Sequence, residues 1–286
     1  MLHTLEVETV TNKGDSPMRT QQEKIIAELG TRPSINPTEE IDARARFLAN
    51  YLGDTGMRGF VLGISGGQDS LLAGLLATRA VDIRRSEGND AEFHAALLPY
   101  GTQADRADAL LAIDTISPDV VHDFNIKQPT DAFAEAFATT EQVALRDYDK
   151  GNVKARMRMI AQYALASHHG LLVIGTDHAA EAVTGFYTKY GDGGADVLPL
   201  AGLTKRQGRQ MLEQLGAPSV FTEKAPTADL LDATPGQADE TELGLRYAVI
   251  DDYLEGKEIE PELASIIEQR FVMTAHKRTM PVAFTD

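Results

Sequence analysis

The sequence predicts an α/β protein in which a doubly wound parallel sheet of about five strands is flanked by helices within a single domain. Four short apolar runs carry this prediction, because segments with helical periodicity separate them. Such alternation is typical of parallel strands joined by crossover helices. The runs are residues 60–64, 93–98, 120–124 and 171–174. In a sheet of this kind, ligands bind beyond the carboxyl ends of the strands.

The helices are predicted from apolar spacing and stop signals. A helix over residues 20–29 ends at Gly30, and a second begins at Pro37 and is expected to stop at Gly53. A long helix over residues 152–168 ends before Gly170. Short loops and the absence of repeats favour one compact domain. We therefore divide the chain into an N-terminal extension, residues 1–36, and a main domain, residues 37–286.

Composition excludes several classes of function. The chain has 286 residues with no cysteine, which excludes disulfides and a thiolate nucleophile. Its net charge of -16 makes nucleic acid a poor partner. The first ten residues do not resemble a signal peptide, and the apolar runs are shorter than the ~20 residues that span a bilayer. We expect a cytoplasmic protein without a membrane partner.

A glycine-rich turn follows the first predicted strand and precedes an apolar helix pattern. It reads Ser65-Gly66-Gly67-Gln68-Asp69-Ser70. Glycines let backbone amides approach an anion, the serines add hydroxyl donors, and the helix N-terminus adds partial positive charge, so phosphate is the expected occupant. Neither the Walker lysine nor the G-x-G-x-x-G pattern is present. Asp69 would repel phosphate directly, but it suits a Mg²⁺ ion that bridges phosphates. A turn that merely caps a helix is the alternative interpretation.

The pattern SGGxDS resembles the loop of the N-type ATP pyrophosphatases. Four further segments, 175–181, 185–196, 198–200 and 203–205, resemble ammonia-dependent NAD synthetase. The resemblance runs from the phosphate loop to residues 276–278. It implies a ligase that adenylates the nicotinate carboxylate of deamido-NAD with ATP, releases pyrophosphate, and uses ammonia to form NAD and AMP. It also implies a homodimer, for which the sequence itself offers the apolar face of the 152–168 helix.

The resemblance assigns roles to individual residues. It implies that Asp69, Glu181 and Lys205 are catalytic and that Asp69 and Glu181 hold Mg²⁺. Lys205 would stabilise the charge that builds on departing pyrophosphate. The implied ATP-binding residues are Gly63, Ile64, Ser65, Gly66, Gly67, Gln68, Asp69, Ser70, Thr176, Lys205 and Thr227. The implied deamido-NAD-binding residues are Arg156, Lys189, Asp196, His276 and Lys277.

Most of these residues have a plain structural alternative. Glu181 and Lys205 could be solvated residues at helix starts, and Arg156 could lie on the surface of an amphipathic helix. His178 is interpreted as a packing or hydrogen-bonding residue. Residues 225–240 carry turn formers and acids, and we predict a mobile flap that orders over ATP.

Two other functions remain open at this point. One is another enzyme of the same loop class, such as a tRNA-modifying ATP pyrophosphatase or the ATP domain of a GMP synthetase. Net charge and the lack of cysteine weigh against tRNA thiolation. The other is a regulatory module that binds ATP without turnover, which would not need two metal carboxylates. A glutaminase domain is not expected, so free ammonia is the predicted nitrogen donor.

Overall fold

Four parallel strands form the central sheet of the computed structural model, which describes residues 19–102, 105–224, 226–227, 230–234 and 236–284. The strand order is β3-β2-β1-β4, and each strand matches a predicted apolar run to within one residue at either end. The described residues give one strand fewer than the five predicted, since a single parallel bridge from Ile174 to Val197 takes the place of a fifth. The strands are β1 (Gly59–Gly63), β2 (Glu92–Leu97), β3 (Val120–Asp123) and β4 (Leu171–Val173).

Helices connect and cover these strands. None of the helices in the described ranges is both long and apolar enough to cross a membrane. They are α1 (Thr20–Leu29), α2 (Pro37–Thr55), α3 (Gln68–Ser86), α4 (Arg106–Ile116), α5 (Lys127–Glu141), α6 (Asp147–His169), α7 (Ala179–Thr184), α8 (Lys205–Gln214), α9 (Val220–Glu223), α10 (Asp239–Leu243), α11 (Tyr247–Leu254), α12 (Pro261–Met273) and α13 (Ala275–Arg278).

Both faces of the sheet are covered, which confirms the doubly wound class. Side chains alternate along a strand, so Phe60 and Leu62 point to one face and Val61 points to the other. The first two are buried in a cluster with residues of α2, α3, α4 and α8. Val61 is buried with residues of α6. Helices on the two faces leave the carboxyl edge of the sheet as the place where loops converge.

A third apolar cluster lies outside the sheet. It joins α1, α7, α11 and α12 around Ile25, Ile250 and Ile267, all fully buried. The Gln22 side chain donates hydrogen bonds to the carbonyls of Tyr253 (2.7 Å) and Lys257 (3.0 Å). The described part of the N-terminal segment therefore packs on the main body, while residues 1–18 of the predicted extension lie outside the described residues.

The predicted end of the second helix at Gly53 is wrong. The helix continues to Thr55 and is capped by Gly56, whose φ is 66°. A glycine ends a helix when it takes the left-handed conformation, and Gly53 does not. At Gly53 an added Cβ would lie 3.0 Å from the Arg84 guanidinium, so the missing side chain serves close packing instead. The stops at Gly30 and Gly170 are confirmed by their positive φ values.

Candidate active site

The turn between β1 and α3 is closed by its own serines. The backbone N–H of Gly67 donates to Ser65 Oγ at 3.2 Å, and Ser70 Oγ lies 3.1 Å from Ser65 Oγ. Ser70 Oγ also donates to the carbonyl of Gly67 at 3.2 Å. These bonds hold the turn at the first residues of α3. Because backbone N–H groups at a helix start have no partner within the helix, this end of α3 is an anion-binding position.

Gly66 is required by contact as well as by conformation. Its φ is 78°, a region that side chains avoid. A Cβ built there would lie 2.6 Å from the backbone nitrogen of Ala109. The turn is thus pressed against the first turn of α4, and the sequence prediction of a tight turn at this position is confirmed.

Four ionisable side chains from three segments meet beside this turn. Lys205 Nζ donates to Asp69 Oδ2 at 2.6 Å. His178 Nε2 lies 3.7 Å from Asp69 Oδ1 and 3.7 Å from Glu181 Oε1. His178 is 3% exposed, and neither ring nitrogen has a hydrogen-bond partner among the described residues. One ligand atom each from Asp69, His178 and Glu181 lies within 4.8 Å of the others, so the cluster has the dimensions of a cation site.

Burial controls the charges in this cluster. Burial opposes the charge of Asp69, but the charge of Lys205 and its hydrogen bond help to outweigh burial and hold the pKa of that carboxyl below its usual value. Burial and the charge of Asp69 raise the pKa of Glu181 well above its usual value. Burial lowers the pKa of His178 to about 4, so the imidazole is neutral. Lys205 alone therefore cannot neutralise both Asp69 and Glu181 when both are ionised. An added cation would neutralise the remaining charge.

Two more carboxyl groups increase this demand for positive charge. Burial, followed by the charges of Asp192 and Asp69, raises the pKa of Asp177 to about 8. Burial also raises the pKa of Asp192, whose Oδ1 accepts the backbone N–H of Thr188 at 2.8 Å. Carboxylate oxygens are the ligands that Mg²⁺ prefers, and a cation would relieve the repulsion between these groups. The donor set therefore fits Mg²⁺, with Asp69 and Glu181 as the residues that would hold it.

Lys205 is fixed by its position at the first turn of α8. The Thr204 side chain caps this helix in a capping box with Gln207. Asp251 of α11 accepts the backbone N–H groups of Lys205 at 3.0 Å and Arg206 at 2.9 Å. A carboxylate at a helix N-terminus is favourable, so α11 anchors the backbone from which the lysine projects. The Lys205 ammonium also lies 5.1 Å from the centroid of the Tyr247 ring.

A cleft of about 360 Å³ opens at the carboxyl ends of the strands, a size typical of ligand pockets. It gathers nearly all of the predicted ATP-binding residues. Gly66 is the exception, since it lies in the same turn but faces α4. Glu181 and Lys277 line the cleft as well. The predicted residues along its wall are Gly63, Ile64, Ser65, Gly67, Gln68, Asp69, Ser70, Thr176, Lys205 and Thr227.

The predicted deamido-NAD residues divide into two groups. The four basic residues lie next to one another in the fold. Arg156 donates to the carbonyl of Lys189 at 3.2 Å, and Lys189 Nζ donates to the carbonyl of His276. Lys277 follows His276 and donates to the carbonyls of Gly185 and Tyr187. Asp196 takes part in a different set of contacts. Its carboxylate accepts the backbone N–H of Val173 at 2.7 Å and the hydroxyl of Tyr163 at 3.1 Å.

The segment that we predict as a flap lies beside the cleft. Thr227 forms an antiparallel bridge with Ala238, and Leu230 reaches the cleft wall. Asp147, in the first turn of α6, accepts the backbone N–H groups of Asp232 (2.8 Å) and Ala233 (2.9 Å). The buried Lys154 donates to the carbonyl of Leu230 at 2.8 Å. The start of α6 thus holds the described part of this segment in place, and its mobility stays a prediction.

Several site residues were not predicted from the sequence. His178 was interpreted as a packing residue, yet it lies between two site carboxylates. Asp192, Lys224 and Asp239 also line the cleft. Lys224 Nζ donates to Asp108 Oδ2 at 2.6 Å. This bond connects the residue before the flap segment to the first turn of α4. A usable signal was their position in the sequence, because Asp192 lies among glycines 191, 193 and 194, Asp239 lies in the flap segment, and Lys224 precedes it.

The doubly wound sheet, the anion-binding turn and the buried lysine–carboxylate cluster define an α/β nucleotide-binding protein. Comparison with known proteins makes this class specific. The model of the NAD synthase family matches residues 40–281. The chain is 58% identical over 265 residues to the NH(3)-dependent NAD(+) synthetase of Bacillus subtilis, covering 93% of this chain and 97% of that protein. The chain therefore belongs to the NAD synthase family.

Solved structures agree with this assignment. NAD+ synthetase from Burkholderia pseudomallei superposes with a TM-score of 0.80 at 44% identity, covering 93% of this chain and 99% of that one. NMN synthetase from Francisella tularensis has a TM-score of 0.78 at 33% identity, covering 88% of this chain and all of that one. The resemblance expected from the sequence is confirmed, and so is the fold class.

Proposed function

We propose that this protein is an ammonia-dependent ligase that adenylates the nicotinate carboxylate of deamido-NAD with ATP and then amidates it. The products are NAD, AMP and pyrophosphate. The observation that carries the proposal is the convergence of the Ser65–Ser70 turn, Asp69, Glu181 and Lys205 on one cleft. The 58% identical relative from Bacillus subtilis, named for the ammonia-dependent reaction, supports the choice of substrates.

The turn and Lys205 serve the first step. A carboxylate oxygen of the substrate attacks the α-phosphorus, and the bond to the β-phosphate oxygen breaks. Negative charge builds on the departing pyrophosphate, so a fixed ammonium near it lowers the barrier. Lys205 Nζ donates to Asp69 Oδ2 at 2.6 Å, which holds the ammonium at the turn. Backbone N–H groups at the start of α3 would orient the phosphates.

Mg²⁺ is part of this proposal. When bound, it would neutralise phosphate charge and draw electron density from the bond that breaks. Support comes from the buried carboxyl groups whose pKa values are raised by burial and mutual repulsion. Asp69 and Glu181 would hold the ion. The neutral His178 between them is a weaker partner for Mg²⁺, which favours oxygen ligands.

The second substrate would lie along the basic residues at the rim of the cleft. Its pyrophosphate requires cationic partners, and the connected set of Arg156, Lys189, His276 and Lys277 supplies them. Asp196 is proposed for a ribose hydroxyl, although its carboxylate already accepts two hydrogen bonds. A second pair of acceptor positions on its oxygens leaves room for such a contact.

The amidation step needs no protein nucleophile. Ammonia attacks the acyl carbon, the bond to AMP breaks, and the nitrogen loses a proton. The absence of cysteine agrees with this route, because a glutaminase that releases ammonia by nucleophilic catalysis uses a thiolate. Water must be excluded from the cleft until ammonia has reacted, because water would hydrolyse the acyl adenylate. The segment held by Asp147 and Lys154 is suited to that task.

We also propose a homodimer. The family resemblance suggests it, and α6 retains an apolar surface, since Ile160 is 53% exposed. Phe133 of the neighbouring α5 is 46% exposed. Large exposed apolar side chains on adjacent helices are a common feature of subunit contacts. Light scattering of the purified chain would measure the mass, and Ile160→Glu should convert a dimer that uses α6 into monomers.

Product analysis tests the proposed reaction. The purified chain is mixed with Mg-ATP, deamido-NAD and an ammonium salt, and NAD, AMP and ADP are separated by chromatography. Equal amounts of NAD and AMP are expected. Formation of ADP would falsify the mechanism, and ATP binding without AMP would favour the regulatory module.

A second arm of the same experiment defines the substrate. Nicotinate mononucleotide replaces deamido-NAD, because one of the similar solved structures is an NMN synthetase. We expect turnover of the dinucleotide to exceed that of the mononucleotide by at least tenfold. The reverse ratio would assign the chain to mononucleotide amidation.

A further inference from the structure

Three histidines meet on the α6 face of the sheet, away from the cleft. His94 lies in β2, His122 lies in β3, and His169 is the last residue of α6. The strand register pairs Ala96 with His122, and His94 and Ala96 share one face of β2. His122 therefore stands on the same side of the sheet as His94, where the end of α6 covers both. None of the three lines the cleft.

The three rings are close enough to share one ion. Ring centroids are 5.2 Å apart for His94 and His122, 4.9 Å for His94 and His169, and 5.5 Å for His122 and His169. One ring nitrogen from each lies within 4.8 Å of the other two. His94 Nδ1 is 3.1 Å from His122 Nε2. Two nitrogens bound to one tetrahedral Zn²⁺ lie about 3.3 Å apart, given Zn–N bonds of about 2.0–2.1 Å.

The hydrogen bonds around His94 prepare it as a ligand. His94 is 2% exposed, and its Nε2 lies 2.9 Å from Glu92 Oε2. A carboxylate can only accept, so this bond places the proton on Nε2 and leaves the Nδ1 lone pair facing His122. Metal-binding histidines commonly donate their second N–H to a carboxylate in this way. His122 would move its own proton to Nδ1 to free Nε2.

The remaining charges near the rings permit a cation. Arg58 is a competing positive group that acts on His169, and its guanidinium lies 2.9 Å from Glu92 Oε1. Glu92 therefore offsets Arg58 while it orients His94. Burial, followed by the other rings, lowers the pKa values of His122 and His169, which favours neutral imidazoles. The exposed neighbour His168 has its ring 4.7 Å from that of His169, and it lies outside the set of three.

We propose that His94, His122 and His169 form a second metal site that binds one Zn²⁺-class ion and ties the end of α6 to strands β2 and β3. Among the described residues the ligand set is three imidazoles, with Glu92 bonded to the far nitrogen of His94, and such a set selects borderline transition ions over Mg²⁺. Water completes the coordination, since His122 and His169 are partly exposed. The site differs from the Mg²⁺ position in the cleft in both ligands and location. An ion here stabilises the fold and takes no part in the transfer of adenylate.

The test uses the full chain without a histidine tag. The protein is stripped with EDTA, exchanged into buffer with excess Mg²⁺ to occupy the cleft, and titrated with Zn²⁺ against a chelating dye. Cobalt replaces zinc in a parallel titration, because Co²⁺ of low coordination number absorbs visible light. We expect one ion per chain and a rise in the unfolding temperature on Zn²⁺ addition.

Matched variants locate the ion. His169→Ala and His122→Gln should weaken Zn²⁺ binding at least a hundredfold, and Glu92→Gln should weaken it about tenfold to a hundredfold, the range for loss of an orienting carboxylate. His168→Ala, next in the chain, and Glu181→Gln, in the cleft, should bind Zn²⁺ as the unmodified protein does. Unfolding temperatures in EDTA show whether each variant is folded.

The outcomes are decisive in both directions. Loss of Zn²⁺ binding and of its thermal shift in His169→Ala, with both retained in His168→Ala, supports the site. No Zn²⁺ uptake by the unmodified protein overturns it. Unchanged uptake by His169→Ala, or loss of uptake in Glu181→Gln, places the ion elsewhere and also overturns it. Should His122→Gln fail to fold, His169→Ala decides alone, because this partly exposed residue ends a helix.

Discussion

The ammonium of Lys205 lies 2.6 Å from the carboxylate of Asp69, although 136 residues separate them in the chain. Lys205 is buried and Asp69 is partly exposed, and each shifts the pKa of the other. Burial lowers the pKa of Lys205, but Asp69 and Glu181 outweigh it, so the net pKa of the lysine is raised. The lysine is therefore fully protonated and the carboxyl group is fully ionised beside the Ser65–Ser70 turn.

Loss of the lysine charge should slow the first chemical step. Lys205→Met keeps the chain length of the residue and removes the ammonium, so the pyrophosphate leaving group loses its stabiliser. We expect kcat to fall about a hundredfold to a thousandfold, as for other fixed donors, with a smaller change in the KM for ATP. Arg206→Met is the control, since Arg206 pairs with Asp252 and Glu255 and should leave kcat within about threefold.

Removal of the Asp69 charge should abolish adenylation without loss of the fold. Asp69→Asn keeps the shape of the side chain but weakens its hold on Mg²⁺. We expect AMP formation below about 1% of the unmodified rate at any Mg²⁺ concentration, because the effect should equal that of a lost oxyanion stabiliser or exceed it. Asp42→Asn is the control, since Asp42 is exposed and pairs with Arg79. A fully active Asp69→Asn protein would show that the metal assignment is wrong.

The partly exposed acid Asp177 should make stability fall as pH rises. Its folded pKa of about 8 exceeds the usual 3.8, so the folded state favours the protonated form. Stability from this group is complete below about pH 4 and is lost as pH rises through 8. Asp177→Asn stays neutral, so its free energy of unfolding should exceed that of the unmodified protein by a few kcal/mol at pH 8.5, with a smaller gap at pH 5.

Urea unfolding at the two pH values measures this gap. Mg²⁺ should narrow it at pH 8.5, because the cation offsets the carboxylates that Asp177 repels. His178 acts in the opposite direction, since its pKa is lowered to about 4 and stability falls as pH drops below about 6.5. A gap that stays constant from pH 5 to pH 8.5 would contradict the raised pKa of Asp177.

Asp147 should control the segment that borders the cleft. Asp147→Ala removes two hydrogen bonds to the backbone of Asp232 and Ala233, each worth about 0.5–1.5 kcal/mol. We expect the KM for ATP to rise about tenfold, and a protease that cleaves after acidic residues should cut within residues 225–240 faster, since this segment has acids but no lysine or arginine. Asp149→Ala is a matched control, since Asp149 occupies the same first turn of α6 but pairs with the exposed Arg146. Equal effects of both variants would assign the change to α6 itself.

The fold could be predicted largely because its strands are short apolar runs between helical segments. Phe60 and Val61 are both buried, so the first run reads as a strand covered on two faces. The end of α2 was predicted wrongly, because two glycines follow the apolar pattern and only Gly56 takes the left-handed conformation that ends a helix. A fifth strand was predicted, but the described residues form only a single parallel bridge there, between Ile174 and Val197.

The site was predictable where one segment carries the chemistry and less so where several segments meet. The Ser65–Ser70 turn can be recognised from the sequence, because its two glycines come directly after a predicted strand. His178 cannot be recognised in this way, because its significance comes from carboxylates on two sides and from burial that leaves both ring nitrogens unpartnered. The three histidines of the proposed zinc site are separated by 28 residues and more, and strand register alone brings two of them to one face.

The anchoring of α8 by Asp251 has a consequence for synthesis on the ribosome. The Ser65–Ser70 turn is synthesised early. The backbone amides of Lys205 and Arg206 can bond to Asp251 only after α11 has been synthesised. A chain that ends before residue 251 would therefore carry Lys205 on a helix whose first amides lack this carboxylate. In such a molecule the position of the ammonium would depend on the remaining contacts, among them the capping box of Thr204 and Gln207.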